Sequence, residues 1–223
     1  MFKFLVIPAL ATFAGYTQTV TNLNLYRYET KVGSGKYTET KSGHGNRTST
    51  FEIQSSDDGG TSIHIKQVKV IDTRAFPISE EEDMTEISAG PKPHVLRKIK
   101  LKVRYDDSGA AVLSKFEEGS WTERTFVPIP GYSRADASDL WFSKVIPKAG
   151  TTVSSTVFDI ENAKWQVIKT TYVGKKWISI GGRQLETNEV QDVRDGGLRQ
   201  VYLDNKGQPV LMINREMRTE KKF

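Results

Sequence analysis

The sequence predicts a mainly β protein: a single curved antiparallel sheet, half-barrel or open barrel in form and meander in topology, with one or two short helices. Three observations carry this. Among 223 residues, Thr, Val and Ile number 21, 18 and 15 against 12 Leu and 11 Ala, and branched side chains suit a pleated surface but lose rotamer freedom in a helix. Runs of strand formers alternate with Gly, Asp and Asn turn signals at a spacing that gives about eleven or twelve strands. No long amphipathic helical period interrupts them. Hydrophobic residues at 37% and charged residues at 26% exclude a disordered chain and a polytopic membrane protein. The length is ample for one core without covalent staples. Cysteine is absent, which removes disulfides, thiolate metal sites and cysteine nucleophiles.

At the N-terminus Lys3 precedes an apolar run from Phe4 to Gly15, broken by Pro8, with no further charge until Arg27. Such a run is too short to cross about 30 Å of hydrocarbon but has the length of an export-signal core. Residues 1–18 therefore read as a signal peptide and 19–223 as a single antiparallel β domain that is periplasmic or secreted. A buried first strand is the alternative.

Thr-rich strands are expected at Tyr26 to Thr30, Lys36 to Thr40 and Arg47 to Gln54, separated by Gly33-Ser34-Gly35 and Gly43-His44-Gly45. Asp57-Asp58-Gly59-Gly60 is a hairpin signal leading into Ser62 to Asp72. Ser79-Glu80-Glu81-Glu82 matches a capping box, which predicts a short acidic helix to about Ser88, ended by Pro91 and Pro93. Arg97 to Tyr105 alternates strictly, with Ile99, Leu101, Val103 and Tyr105 on one face and Lys98, Lys100, Lys102 and Arg104 on the other. Turns at Asp106 to Gly109 and Gly119-Ser120 follow. Ser133 to Ser143 is read as a second short helix carrying Trp141 and Phe142. From Val153 on the pattern is a meander, with a Gly181-Gly182 hairpin and turns at Asp195-Gly196-Gly197 and Asp204 to Gly207. The likeness of Tyr105 to Gly109 and Tyr202 to Gly207 is attributed to turn chemistry rather than duplication. Trp165 and Val167 lie opposite Ile168 and Tyr172, so both faces of that strand should be covered, by a helix or by a ligand.

Several of these segments together carry a resemblance. Leu140-Trp141-Phe142, Pro147-Lys148-Ala149-Gly150, Thr171-Tyr172-Val173-Gly174, the Gly181-Gly182 hairpin and Tyr202-Leu203-Asp204 through Gly207-Gln208-Pro209 resemble an exported bacterial β-rich family of unknown function. That family is distantly similar to the lipoprotein-carrier type of curved antiparallel half-barrel, whose concave face shelters an acyl chain. The likeness spans the stretch from Trp141 to Val210, and its motifs are turn and packing residues. It implies a fold and transfers no catalytic residue.

The residues exclude several chemistries. Gly35-Lys36 has Thr30 and Tyr37 where a phosphate loop needs a glycine and a Ser or Thr, and there is no Gly-x-Ser-x-Gly elbow. Only His44, His64 and His94 could act as bases, and no pair of them has metal-ligand spacing. No catalytic residue, metal site or cofactor is assigned. Two surfaces remain. Trp141, Phe142, Trp165 and Trp177 are the candidate lining for a lipid or other hydrophobic ligand. Arg97, Lys98, Lys100, Lys102 and Arg104, extended by His64 and Lys66, form a cationic stripe suited to an anionic lipid or glycan surface; the export signal argues against nucleic acid. The plainer reading of the stripe is the solvated face of a strand protected from aggregation. The leading expectation is a non-catalytic carrier, the alternative an envelope interaction domain, and the third a carboxylate-dependent hydrolase using pairs such as Glu117-Glu118.

Overall fold

The structure is a computed structural model that describes residues 17–56, 60–74, 76–88, 90–131, 146–194 and 197–223. Fourteen strands account for almost all of the regular structure. They are β1 (Thr17–Arg27), β2 (Thr30–Lys41), β3 (Arg47–Ser56), β4 (Ser62–Ile71), β5 (Pro77–Ile87), β6 (Val95–Tyr105), β7 (Ala111–Glu117) and β8 (Ser120–Phe126), then β9 (Thr152–Asp159), β10 (Lys164–Ile180), β11 (Arg183–Arg194), β12 (Gly197–Leu203), β13 (Pro209–Asn214) and β14 (Met217–Lys221). All belong to one antiparallel sheet. Two meanders, β1 to β8 and β9 to β14, are stitched where β1 pairs with β14, Leu23 opposite Lys221 and Leu25 opposite Thr219. The ladder is open, and its edges are β8 and β9, neighbours in sequence.

Turn chemistry fixes the hairpins. Gly181 and Gly182 both take positive φ, 55° and 77°, as a two-residue turn matched to strand twist requires. Asp106 and Asp204 each accept the amide four residues on, at 2.9 Å. Asp72 does the same with Phe76. That third turn has no sequence likeness to the other two, which supports turn chemistry over duplication.

Three expectations are corrected. Ser79 to Ser88 is not a helix but most of β5. Its acids alternate across the strand, with Glu81 directly opposite Lys102 and Asp83 opposite Lys100 on β6, and cross-strand pairing with a basic neighbour outweighs a local capping signal. Gly33-Ser34-Gly35 is strand rather than turn. A Cβ at Gly33 would strike the Gln54 carbonyl, and one at Gly35 would lie 3.0 Å from the Glu52 oxygen, so the glycines permit close backbone approach to β3. Tyr26 to Thr30 spans the end of β1 and its turn, where Tyr28 takes φ 52°. No helix occurs among the described residues. The helix expected at Ser133 to Ser143, with Trp141 and Phe142, lies outside them. So do residues 1–16 of the expected signal segment; Thr17 and Gln18 already belong to β1.

Following the register from strand to strand, Ile99 shares a face with Met84, Ile65, Ile53, Leu23, Thr219, Val201, Val190, Tyr172 and Ile168. Phe158 and Trp165 lie on the opposite face. Yet the largest core cluster joins Ile99, Leu101, Val103, Ala111 and Leu113 to Phe158 and Ile160, with Trp165 against them. The inner face of β6 to β8 therefore packs on the outer face of β9 and β10. The sheet curls beyond closure and overlaps its own end. This explains the two-sided apolar character of β10: the cover over Trp165 is the far end of the same sheet. Phe158 stacks at 5.1 Å from Phe126 and 5.5 Å from Trp165, and the Trp165 indole donates to the Phe126 carbonyl at 3.0 Å. A second cluster, Ile180, Tyr202, Val210 and Leu211, packs the β10–β11 hairpin on the outer face of β12 and β13, and a third, Tyr172, Val190 and Leu203, lies inside.

Candidate functional site

Where the double layer opens, the turn joining β9 to β10 faces the inner surface of β4 to β8 across a cleft of about 500 Å³. Alternation aims Ile65, Met84, Ile99, Leu101 and Leu113 at its floor, and Ile160 and Ala163 close it from the turn. The turn is built by Asp159, which accepts the Asn162 amide at 2.9 Å and its side-chain amide at 2.8 Å, and which also binds the Gln166 amide.

Polar groups ring this apolar floor. Arg97, Lys115, Thr122 and Arg124 form one side. Arg97 and Lys115 both reach Glu117 at 2.5 Å, and these two cations, Lys115 first, hold the Glu117 carboxyl below its usual range. The Arg124 guanidinium lies 5.3 Å over the Phe126 ring, with no carboxylate in ion-pair range among the described residues. Opposite them stand two acids. Glu82 is buried and accepts from Gln67 at 2.6 Å. Glu161 is pushed up from the ordinary carboxylate range, first by burial and then by the charges of Glu82 and Asp159.

A second, more polar cavity of about 330 Å³ lies inside the curl between β2–β3 and β11–β13. Its buried Asp192 accepts from Thr170 at 2.8 Å and forms an ion pair with Arg199.

The sequence-predicted residues distribute unevenly. Trp165 is a packing residue of the seam and does not line the cleft. Trp177 is 66% exposed near the end of β10 and lines neither cavity. Trp141 and Phe142 lie outside the described residues. Lys98, Lys100, Lys102 and Arg104 share the outer face with His64 and Lys66 of β4, two strands away beyond β5, but Arg97 has the opposite parity and belongs to the cleft. The stripe is also largely neutralised: Lys100 lies 3.5 Å from Asp83, Lys102 3.4 Å from Glu81 and Arg104 3.7 Å from Glu123. Glu82, Lys115, Arg124 and Glu161 escaped sequence reasoning. The alternation of Glu82 and Met84 in β5 was the available signal, masked by the apparent capping box.

No protein-family model matches the chain, and no curated protein does. Among solved structures the chain is similar to a β-barrel-like protein of a domain of unknown function, DUF1849, from Brucella abortus. The TM-score is 0.58 at 10% identity, over 93% of this chain and 94% of that one. At that identity the likeness shows a shared fold, an open β-rich architecture, and nothing of chemistry.

Proposed function

We propose that this chain is an exported, non-catalytic binding or carrier protein that holds the apolar part of a lipid or other amphipathic ligand in the cleft between β4–β8 and the β9–β10 turn. One observation carries the reading: five aliphatic side chains form a floor beside a rim of Arg97, Lys115 and Arg124, an arrangement that suits an acyl chain ending in an anion. The volume of about 500 Å³ lies within the range of small-ligand sites, about 300–1,000 Å³. Export to the periplasm or outside the cell rests on the N-terminal segment. The test is native mass spectrometry of purified protein together with titration of a fluorescent medium-chain fatty acid. Filling the floor with Ile99→Phe should weaken that binding at least tenfold, and Arg124→Glu should do the same without moving Tm. Absence of co-purified lipid and of saturable probe binding would defeat the proposal.

The two acids beside the cleft favour a second reading, a hydrolase with Glu161 as proton donor and buried Glu82 as its partner, because a carboxyl raised above its ordinary range is suited to general acid work. The two readings part on Glu161→Gln. A carrier keeps or gains affinity for an anionic ligand, whereas a hydrolase retains binding and loses turnover.

A further inference from the structure

A groove of about 1060 Å³ lies on the outer face of β1 to β5, opposite the cleft. Two rows of directly paired residues cross it. One runs Asn24, Ser34, Gln54, His64, Thr85 and on to Lys98; the other runs Asn22, Lys36, Glu52, Lys66, Asp83 and on to Lys100. Five strands at about 4.8 Å spacing make the rows about 19 Å long. The chain segment of Lys222 and Phe223 borders the β1 end, where the Lys222 amide donates to the Asn22 carbonyl at 2.8 Å.

The first row is chemically idle. Among the described residues, the side chains of Asn24, Ser34, Gln54, His64 and Thr85 make no protein hydrogen bond. A sheet face that needed only to be soluble would be served by the charges of the second row; a line of unengaged amides and hydroxyls offers both donors and acceptors at a fixed repeat. Charge adds a sign. Glu52 pairs with Lys66 at 3.3 Å and Asp83 with Lys100, whereas Lys31, Lys36, Lys222 and Lys98 have no ion-pair partner among the described residues. The groove is cationic at its β1–β2 end, where Lys31, Lys36 and Lys222 line it, and neutral along its floor, with Lys98 just beyond its β5 side.

We infer that this groove binds an extended acidic polysaccharide, its hydroxyls meeting the amide row and its carboxylates the unpaired lysines. Among the described residues Phe223 is the only aromatic lining the groove, whereas a single-stranded nucleic acid site stacks successive bases on several aromatic side chains. Most of the groove's described lining side chains are polar or charged, unlike the apolar face that inserts into a bilayer.

The test is isothermal titration of the full chain with a galacturonate oligosaccharide. Neutral dextran, a single-stranded oligonucleotide and phosphatidylglycerol vesicles serve as comparisons. Saturable binding that weakens with salt is expected, with affinity falling about tenfold or more in Lys36→Glu and in the double variant Asn24→Ala, Gln54→Ala. Lys36→Gln separates charge loss from misfolding, and unchanged Tm confirms the fold. Ile99→Phe, which fills the cleft, should leave glycan binding untouched, so this inference and the cleft reading fail independently. No galacturonate binding, binding indifferent to Lys36→Glu, or stronger binding to the oligonucleotide or the vesicles would overturn it.

Discussion

Replacing Phe158 with alanine tests the overlap of the sheet on itself. Phe158 is 4% exposed and sits between the Phe126 ring at 5.1 Å and the Trp165 ring at 5.5 Å. Truncating a buried phenylalanine costs about 3–5 kcal/mol through lost transfer energy and the cavity left behind. The two ring contacts, each worth about 0.5–1.5 kcal/mol beyond area, place this site in the upper half of that range. Against a total stability of about 5–15 kcal/mol for a domain, the loss is large. Trp165→Phe should cost less, about 1 kcal/mol, because it mainly deletes the indole hydrogen bond to Phe126. Urea denaturation reads the loss as a lower midpoint at unchanged slope. Native-state hydrogen exchange gives the sharper result. Phe158 is on β9 and Trp165 on β10, but the rest of its cluster lies on β6 to β8, so amides of β6 and β7 should exchange faster while those of β2 to β4 keep their protection. A loss below about 1.5 kcal/mol, or faster exchange confined to β9 and β10, would refute the overlap.

Two other outcomes follow from the placement of charge. Asp192→Ala leaves Arg199 and Thr170 without their acceptor in a buried site. It should cost about 3–5 kcal/mol, read by chemical denaturation, and a loss under 1 kcal/mol would mean that water already solvates that pair. Glu161 has a folded-state pKa raised by burial and then by Glu82 and Asp159. Its neutral form is therefore the one the fold prefers. The associated stability is fully present below the unfolded pKa and is lost as pH rises through the folded value. Glu161→Gln should equal the native chain in acid and exceed it at neutral pH, by no more than about 1 kcal/mol because the site is partly solvated. Thermal melts at pH 3.5 and 7 check the sign, and an advantage that grows toward low pH would reverse the assignment.

How much was legible depended on whether the signal was local. Val95–Tyr105 alternates within one strand, and Gly181-Gly182 selects its turn type by backbone freedom alone; both could be read from a few adjacent residues. β5 could not. Ser79 through Glu82 is a sound helix start in isolation, and only the row of lysines about twenty residues later, across the sheet, makes the same acids strand residues. The site shows the same division. Two-sided apolarity at Trp165 and Ile168 announced that both faces were covered, but what covers them depends on curvature accumulated over fourteen strands. Arg97 was misplaced for a simpler reason: its parity with Ile99 outweighs its adjacency to Lys98.

The overlap has a physical logic that ties the fold to its cavities. A closed barrel leaves little interior at eight strands and an open aqueous channel at sixteen or more, so fourteen strands closed edge to edge would need many large inward side chains. Here the inward positions of β1 and β2 include Thr21, Gly33 and Gly35, which cannot fill such a lumen. Laying β6 to β8 over β9 and β10 turns part of the sheet into a double layer, which narrows what the remaining strands must enclose. Side chains then tie the two layers together, as where the Trp165 indole of β10 donates to the Phe126 carbonyl of β8. Because the two layers are held by side chains rather than by a ladder, they need not meet along their whole length. They separate where the Ile160 to Ala163 turn approaches Glu82 and Arg97. The cleft is thus a consequence of incomplete overlap, and its depth is set by the same aliphatic residues, Ile99, Leu101 and Leu113, that seal the seam beside it.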